Sequence, residues 1–211
     1  MNRHIAVPAL LGVALAFTVS TGGARAGSPA PLAIDAARIT ISGTSNIHAY
    51  TASTTTVRVR KGQLAGMADS PDLWEAALKP GGVQTFEVAI PAASLTSPRE
   101  GLDANMHKAL MVSTHPDIVF RLLRFEPRKG DGLTGIGVLK IAGVVREVAL
   151  DVTTERQQAA LFVRGQVVLL MTDFGITPPV ALMGMLKTDP RVTVTFETRL
   201  ALAPIATTQQ H

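Results

Sequence analysis

Hydrophobic and polar positions alternate with a period of two along most of the chain. Ile39 and Ile41 alternate with Arg38 and Thr40, Val57 and Val59 with Arg58 and Arg60, and Phe86, Val88 and Ile90 with Glu87 and Ala89. The same signal returns at Ile118, Phe120 and Leu122, at Val148, Leu150 and Val152, and at Val192, Val194 and Phe196. A period of two puts one set of side chains on one face of a strand, so each run predicts a half-buried strand. Leu133 to Ile141 and Leu161 to Met171 are more continuously apolar, as expected of strands covered on both faces or strongly twisted. Gly81-Gly82, Asp131-Gly132 and Gly143 fall between runs, where short hairpin loops need positive φ. About eight consecutive antiparallel strands follow, which predicts an all-β sandwich or barrel and not alternating βα units.

One helix interrupts this pattern. Ser97-Pro98-Arg99-Glu100 reads as a capping box with proline at the first helical position. Beyond it Leu102, Met106 and Leu110 recur every four residues on one face, with Ala109 beside them. Pro116 disfavours helical geometry at His115, so the helix is expected to end near Val112. Shorter helical turns are expected from Pro178, carrying Leu182, Met183 and Leu186, and over Asp72 to Leu78 around Trp74, the only tryptophan.

The start of the chain has a different character. Asn2-Arg3-His4 is a short basic region, Ile5 to Val19 carries no charge, and Ala24-Arg25-Ala26 has the form of a cleavage site. That order of parts predicts a secretory signal peptide over residues 1–26, removed to leave a single domain over 27–211. Every later apolar run is broken by charge, glycine or proline well short of the roughly 20 residues a membrane helix needs. Losing Arg3 and Arg25 lowers the formal charge from +4 to +2. With so small an excess, no basic cluster and no aromatic residues at base-stacking spacing, nucleic acid is not an expected partner. The chain has no cysteine, which removes disulfide scaffolds, thiolate metal sites and cysteine nucleophiles together. Export without cysteine fits a bacterial periplasm.

Two motif matches lead nowhere. Gly130-Asp131-Gly132-Leu133-Thr134-Gly135 spells G-x-G-x-x-G but lies between two strands, whereas a dinucleotide fingerprint must open a helix. Asp173-Phe174-Gly175 spells the magnesium motif of kinases without a catalytic loop or a phosphate loop. No G-x-S-x-G occurs. His48, His107 and His115 could meet as metal ligands only if the fold converged them, and neither His107 nor His115 has a carboxylate beside it to orient the ring. The expectation is therefore no catalytic residue, no metal and no cofactor.

What remains is apolar surface built from flexible side chains. Met106, Met111, Met171, Met183 and Met185 cluster on or beside the helix and the segment from Phe174 to Leu186. Methionine is unbranched and polarisable, suited to lining a cavity that moulds to a long ligand. An eight-stranded barrel has an interior wide enough to be filled by side chains or to hold one small ligand. Gly135, Gly137 and Gly165 would leave room beside the backbone.

Ser97 to Phe120 reads SPREGLDANMHKALMVSTHPDIVF, Met171 to Phe196 reads MTDFGITPPVALMGMLKTDPRVTVTF, and Gly43 to His48 reads GTSNIH. With these segments the chain resembles the YceI-like family of secreted bacterial polyisoprenoid-binding proteins, over roughly Asp35 to Leu202. The resemblance implies a lipocalin-like eight-stranded antiparallel β-barrel with a short helix near its mouth. It also implies a long apolar ligand inside, an isoprenoid of polyprenyl or quinone type or another amphiphilic lipid. Two departures stand out: Tyr50 where the family often has a large aromatic such as Trp, and a longer connection from Met67 to Pro80 that carries Trp74. On this reading Leu102, Met106 and Leu110 of the helix, Phe86, Val88, Phe120, Val138, Leu169 and Phe196 of the strands, and Phe174, Ile176, Leu182 and Leu186 of the late segment line the ligand. Asn46, His48, Asn105 and His107 are the candidates for its head group. The expected function is a periplasmic, non-enzymatic carrier whose partner is a small amphiphilic lipid, with transient contact with inner-membrane proteins and the oligomeric state left open. The rival readings are an interaction module with a packed interior, serving a membrane redox or stress-response partner, and a metal-dependent factor built on the histidines.

Overall fold

The structure, a computed structural model, describes residues 29–128, 132–181 and 185–203. Ten strands and two short helices make up the described chain. They are β1 (Pro29–Ser45), β2 (Ala49–Thr54), β3 (Arg58–Met67), α1 (Leu73–Ala77), β4 (Val83–Pro91), α2 (Glu100–Ala109), β5 (Asp117–Pro127), β6 (Leu133–Ile141), β7 (Val144–Gln157), β8 (Ala160–Leu170), β9 (Val180–Ala181) and β10 (Leu186–Leu202). Strands β3 to β8 pair in sequence order, β8 pairs with β10, and β10 pairs with β1. Since β1 also pairs with β3, eight antiparallel strands close into a barrel without a free edge. The β1–β3 pairing is short, running only from Pro29 opposite Met67 to Pro31 opposite Gln63. Over the other half of β1, from Ile39 to Thr44, β2 folds back and takes the place that β3 has left. The predicted signal peptide lies outside the described residues.

The two helices sit at opposite ends. α1 joins the end of β3 to the start of β4, and α2 lies between the end of β4 and the start of β5. In an antiparallel barrel these junctions are on opposite rims, so α1 lies across one end, the floor, and α2 across the other, the mouth. The buried core divides accordingly. Leu32, Leu64, Leu73, Trp74, Ala77 and Leu161 form a cluster at the floor, and Ile90, Leu95, Ile118, Leu139, Leu169, Phe174 and Ile176 form a second toward the mouth.

Several local expectations are revised. α2 ends at Ala109, three residues before Val112, because Met111 turns into the left-handed region at φ 54°. The capping box does not form, since no side chain caps the helix. The Ser97 hydroxyl instead accepts from the Arg99 amide at 3.1 Å, and Asp103 accepts from the Ser97 amide at 2.7 Å. Asp103 lies one helical turn further along and can reach back over α2 to the extended Ser97. Gly81-Gly82 leads from α1 into β4 and is not a hairpin, whereas Ala142-Gly143, both at positive φ, form the two-residue turn between β6 and β7. Val180–Ala181 pairs as a strand with Leu186 and Lys187, so no helix starts at Pro178.

Candidate functional site: an apolar lumen with one polar end

Inward-facing side chains leave two cavities that share Ile41, Ile118, Ile141, Leu169 and Val194 as walls, and so lie end to end along the barrel. The inner one, toward the floor, holds about 200 Å³. Its wall is aliphatic and aromatic on every side, and only Thr154, Thr198 and the indole of Trp74 bring a polar atom to it. The outer one, beneath α2, holds about 380 Å³ and adds Ser45, His48, Tyr50, Arg99, Asn105 and Thr188 to an apolar wall. Polarity along the lumen therefore rises toward one end, from a few isolated groups in the inner cavity to a cluster at the mouth.

Most sequence-predicted wall residues are brought together here. Phe86, Val88, Phe120 and Phe196 line the inner cavity, Leu169 lines both, and Leu102, Met106, Leu110, Phe174 and Ile176 line the outer one. Val138 does not. On β6 it is Gly135, Leu139 and Ile141 that face inward, so Val138 falls on the outer face opposite Arg121 and Glu147. Leu182 and Met183 lie outside the described residues, as does the side chain of Leu186. Of the other methionines, Met106 and Met171 line the outer cavity, while Met111 and Met185 are exposed.

Gly135 lines the inner cavity as expected, but the space beside Gly137 and Gly165 is not free for a ligand. A Cβ on Gly137 would run into the Phe120 ring, and one on Gly165 into the Phe196 ring, which lies directly opposite across the β8–β10 ladder. These glycines admit aromatic rings to the wall, and the rings take up the room.

The polar candidates separate into two groups. Asn46 is a clamp: its Nδ2 donates to the Met185 carbonyl at 2.7 Å and its Oδ1 accepts from the Lys187 amide at 2.8 Å, tying the β1–β2 loop to the start of β10. His107 is likewise committed, with Nε2 at 2.8 Å from the Leu95 carbonyl, a contact that holds α2 against the end of β4. Neither lines a cavity. His48 and Asn105 do line the outer cavity. The Asn105 Nδ2 donates to the Gly101 carbonyl at 3.1 Å, which leaves its amide oxygen unused. The His48 Nε2 accepts from Arg99 Nη1 at 2.6 Å, which in this tautomer places the ring proton on Nδ1. His115 is elsewhere, its ring against Gly143 in the β6–β7 turn. Among the described residues no three histidine, aspartate or glutamate side chains gather as metal ligands would.

Four polar residues of the outer wall, Ser45, Tyr50, Arg99 and Thr188, were not among the head-group candidates, and two of them bear most on its chemistry. Arg99 is the only charged side chain in the outer wall and stands just ahead of α2. Tyr50 lies over Gly43 on the neighbouring strand, where a Cβ would collide with the phenol. Its hydroxyl is buried without a hydrogen-bond partner, the only such side-chain atom among the described residues. Burial, and secondarily the negative charge of Asp189, pushes the phenol above its usual value of 10.0, so it remains a donor. A buried donor without an acceptor costs roughly 1–3 kcal/mol, and the outer cavity is the side from which an acceptor, water or the oxygen of a ligand, can reach it.

Comparison with known proteins agrees with this architecture. The family model described as YceI-like domain matches residues 31–200. A search of curated proteins finds no match. Among solved structures the chain is similar to BcnA of Burkholderia cenocepacia, with a TM-score of 0.63 and 14% identity over 78% of this chain and 96% of that one. It is also similar to a polyisoprenoid binding domain from Saccharophagus degradans implicated in plant cell wall breakdown, with a TM-score of 0.61 and 11% identity over 82% and 99%. The YceI protein of Campylobacter jejuni superposes with a TM-score of 0.52 and 14% identity, over 71% of this chain and 85% of its own. At such identities the structural likeness speaks for the barrel, while the family match runs through all eight of its strands. The chain belongs to the YceI-like family.

Proposed function

We propose that this protein is a periplasmic carrier that holds one long-chain isoprenoid, or a related amphiphilic lipid, with its tail running through the outer cavity into the inner one and its head at the mouth. The observation that carries this reading is the polarity of the lumen, apolar for its inner half and provided at the other end with Tyr50, Arg99, His48 and Asn105. Burying hydrocarbon is worth about 0.8 kcal/mol per methylene, so a tail of ten or so carbons offsets the cost of association without a charged contact in the wall. The head group then needs an oxygen that accepts from the Tyr50 hydroxyl and the Arg99 guanidinium. A quinone carbonyl, an amide and a phosphate all meet that condition. A polyisoprenoid-binding domain among the structural neighbours supports the same ligand class.

On this reading the protein binds and does not convert its ligand, and it uses no cofactor. The leader predicted over residues 1–26 would deliver it to the periplasm. The test is mass spectrometry of an organic extract of the mature protein isolated from its own periplasm, with native mass spectrometry for stoichiometry. About one isoprenoid or acyl-chain molecule per chain is the expected result. An extract matching a blank, from protein that also takes up no added polyprenyl lipid, would favour the interaction module whose interior is merely packed.

A further inference from the structure

We infer that α1 acts as a chain-length gauge, with Trp74 as the floor against which the ligand's tail stops. This rests on the carrier reading and adds to it a specificity that the mouth does not determine. Trp74 is 5% exposed, lines the inner cavity and belongs to the buried cluster at that end. Its Nε1 donates to the Ala159 carbonyl at 3.1 Å, in the turn between β7 and β8 on the opposite side of the rim. Arg156 of β7 donates to the Pro71 carbonyl at 2.7 Å, a second tie across the same end. The connection that carries α1 is thus drawn over the barrel and fastened on the far side, with the indole buried beneath it. Ala77 and Leu78 line the cavity beside it.

A floor fastened at both sides limits what fits above it. The two cavities hold about 200 and 380 Å³. Since a 150 Å³ cavity holds a benzene, that space suits a tail of roughly two dozen carbons, about four to five isoprene units. Longer tails must displace Trp74 or leave carbons in water at the mouth.

Linear polyprenols from geraniol through farnesol and geranylgeraniol to octaprenol, added to the mature protein, measure this directly. Affinity by calorimetry should rise by about tenfold or more per isoprene unit up to geranylgeraniol and gain nothing from there to octaprenol. Trp74 is the only tryptophan, so its fluorescence reports on the floor alone. The emission should respond to geranylgeraniol and not to geraniol. Trp74→Ala should move the length limit up by about one isoprene unit, because the lost indole leaves space on the order of that benzene-sized cavity. Trp74→Phe, a milder change, should move it in the same direction by less, and Ala77→Leu should move it down. If all lengths bind and neither the limit nor its position responds to these variants, the gauge is wrong while the carrier stands. If no polyprenol of any length binds, both fall together.

Discussion

The two ends of the barrel are closed by helices of similar origin and opposite character. Each lies in the connection between consecutive barrel strands, α1 before β4 and α2 after it. α1 has five residues, of which Leu73, Trp74 and Ala77 are buried, and it is fastened across the rim through Trp74 and Pro71. α2 has ten residues, none of those described fully buried, and it rests on an outer cavity larger than the inner one. The floor spends its apolar side chains on protein contacts. At the mouth Leu102, Met106 and Leu110 are half-buried and line the outer cavity, and no carboxylate belongs to the wall that holds Tyr50 and Arg99. Apolar surface at the floor both packs the core and ends the lumen, and at the mouth more of it is left to a ligand.

The sharpest way to break this comparison is to truncate both ends alike. Trp74→Ala removes a buried indole and its hydrogen bond, and should cost about 3–5 kcal/mol of unfolding free energy. Urea unfolding followed by far-ultraviolet circular dichroism measures it, since the variant has no tryptophan left to report. Met106→Ala, in a half-buried position over the outer cavity, should cost about 1 kcal/mol, well below the 2–5 of a core methionine, because less of the side chain leaves apolar contact. Lipid affinity should order the two residues the other way for short ligands that do not reach the floor. Equal losses of stability would mean that the mouth is ordinary core, with the outer cavity a packing defect.

A smaller effect distinguishes clamp from ligand contact within the mouth. Asn46→Ala removes two hydrogen bonds between the β1–β2 loop and β10, each worth about 0.5–1.5 kcal/mol and nearer the lower figure at an exposed site. Amide hydrogen exchange at Lys187, whose N–H loses its acceptor, should quicken. Affinity for ligands with different head groups should fall by one common factor, because Asn46 shapes the rim and does not touch the ligand. A loss that depends on the head group would return Asn46 to the contact set.

How much of this was legible in the sequence differs between the ends in the same way. Strand parity identified the inward residues of β4, β5 and β10, because strict alternation leaves one apolar set to choose. It failed at Val138, where both parities of β6 are apolar and the choice is settled by Phe120, whose ring needs the space above Gly137. The short helix around Trp74 was readable, running as expected between Asp72 and Leu78. That it floors the barrel was not, since the Ala159 carbonyl comes from 85 residues further along. Asn46 and His107 were chosen for polarity next to apolar motifs, a pattern that fits equally a side chain bonded to the protein's own backbone. The partner of Asn46, Met185, is 139 residues away, and local sequence carries no signal of it. Tyr50 and Arg99 were missed because a phenol and a guanidinium on a strand and before a helix resemble any surface pair until Gly43 and the cavity wall place them.

The finest test concerns Tyr50, the only tyrosine of the chain. In the ligand-free protein its hydroxyl is buried without a partner, so Tyr50→Phe should leave stability unchanged or raise it slightly. The same substitution should weaken a lipid with an oxygen-bearing head by about tenfold, the value of roughly one hydrogen bond, and a bare hydrocarbon not at all. Because no other tyrosine absorbs, tyrosinate absorbance follows this group alone. Its midpoint should lie above the ordinary tyrosine value of 10.0, raised chiefly by burial and secondarily by Asp189. The sign follows from linkage. The folded phenol holds its proton to a higher pH than the unfolded one, so its contribution to stability is complete below pH 10.0 and is lost as the pH climbs from there through the folded value. A bound acceptor at the mouth favours the protonated phenol and should delay the absorbance further, whereas a ligand lodged only against Trp74 should leave it where it was. A midpoint at the ordinary value, or one that no head group moves, would mean the hydroxyl is open to water, and the mouth would lose the buried donor on which recognition of an oxygen-bearing head depends.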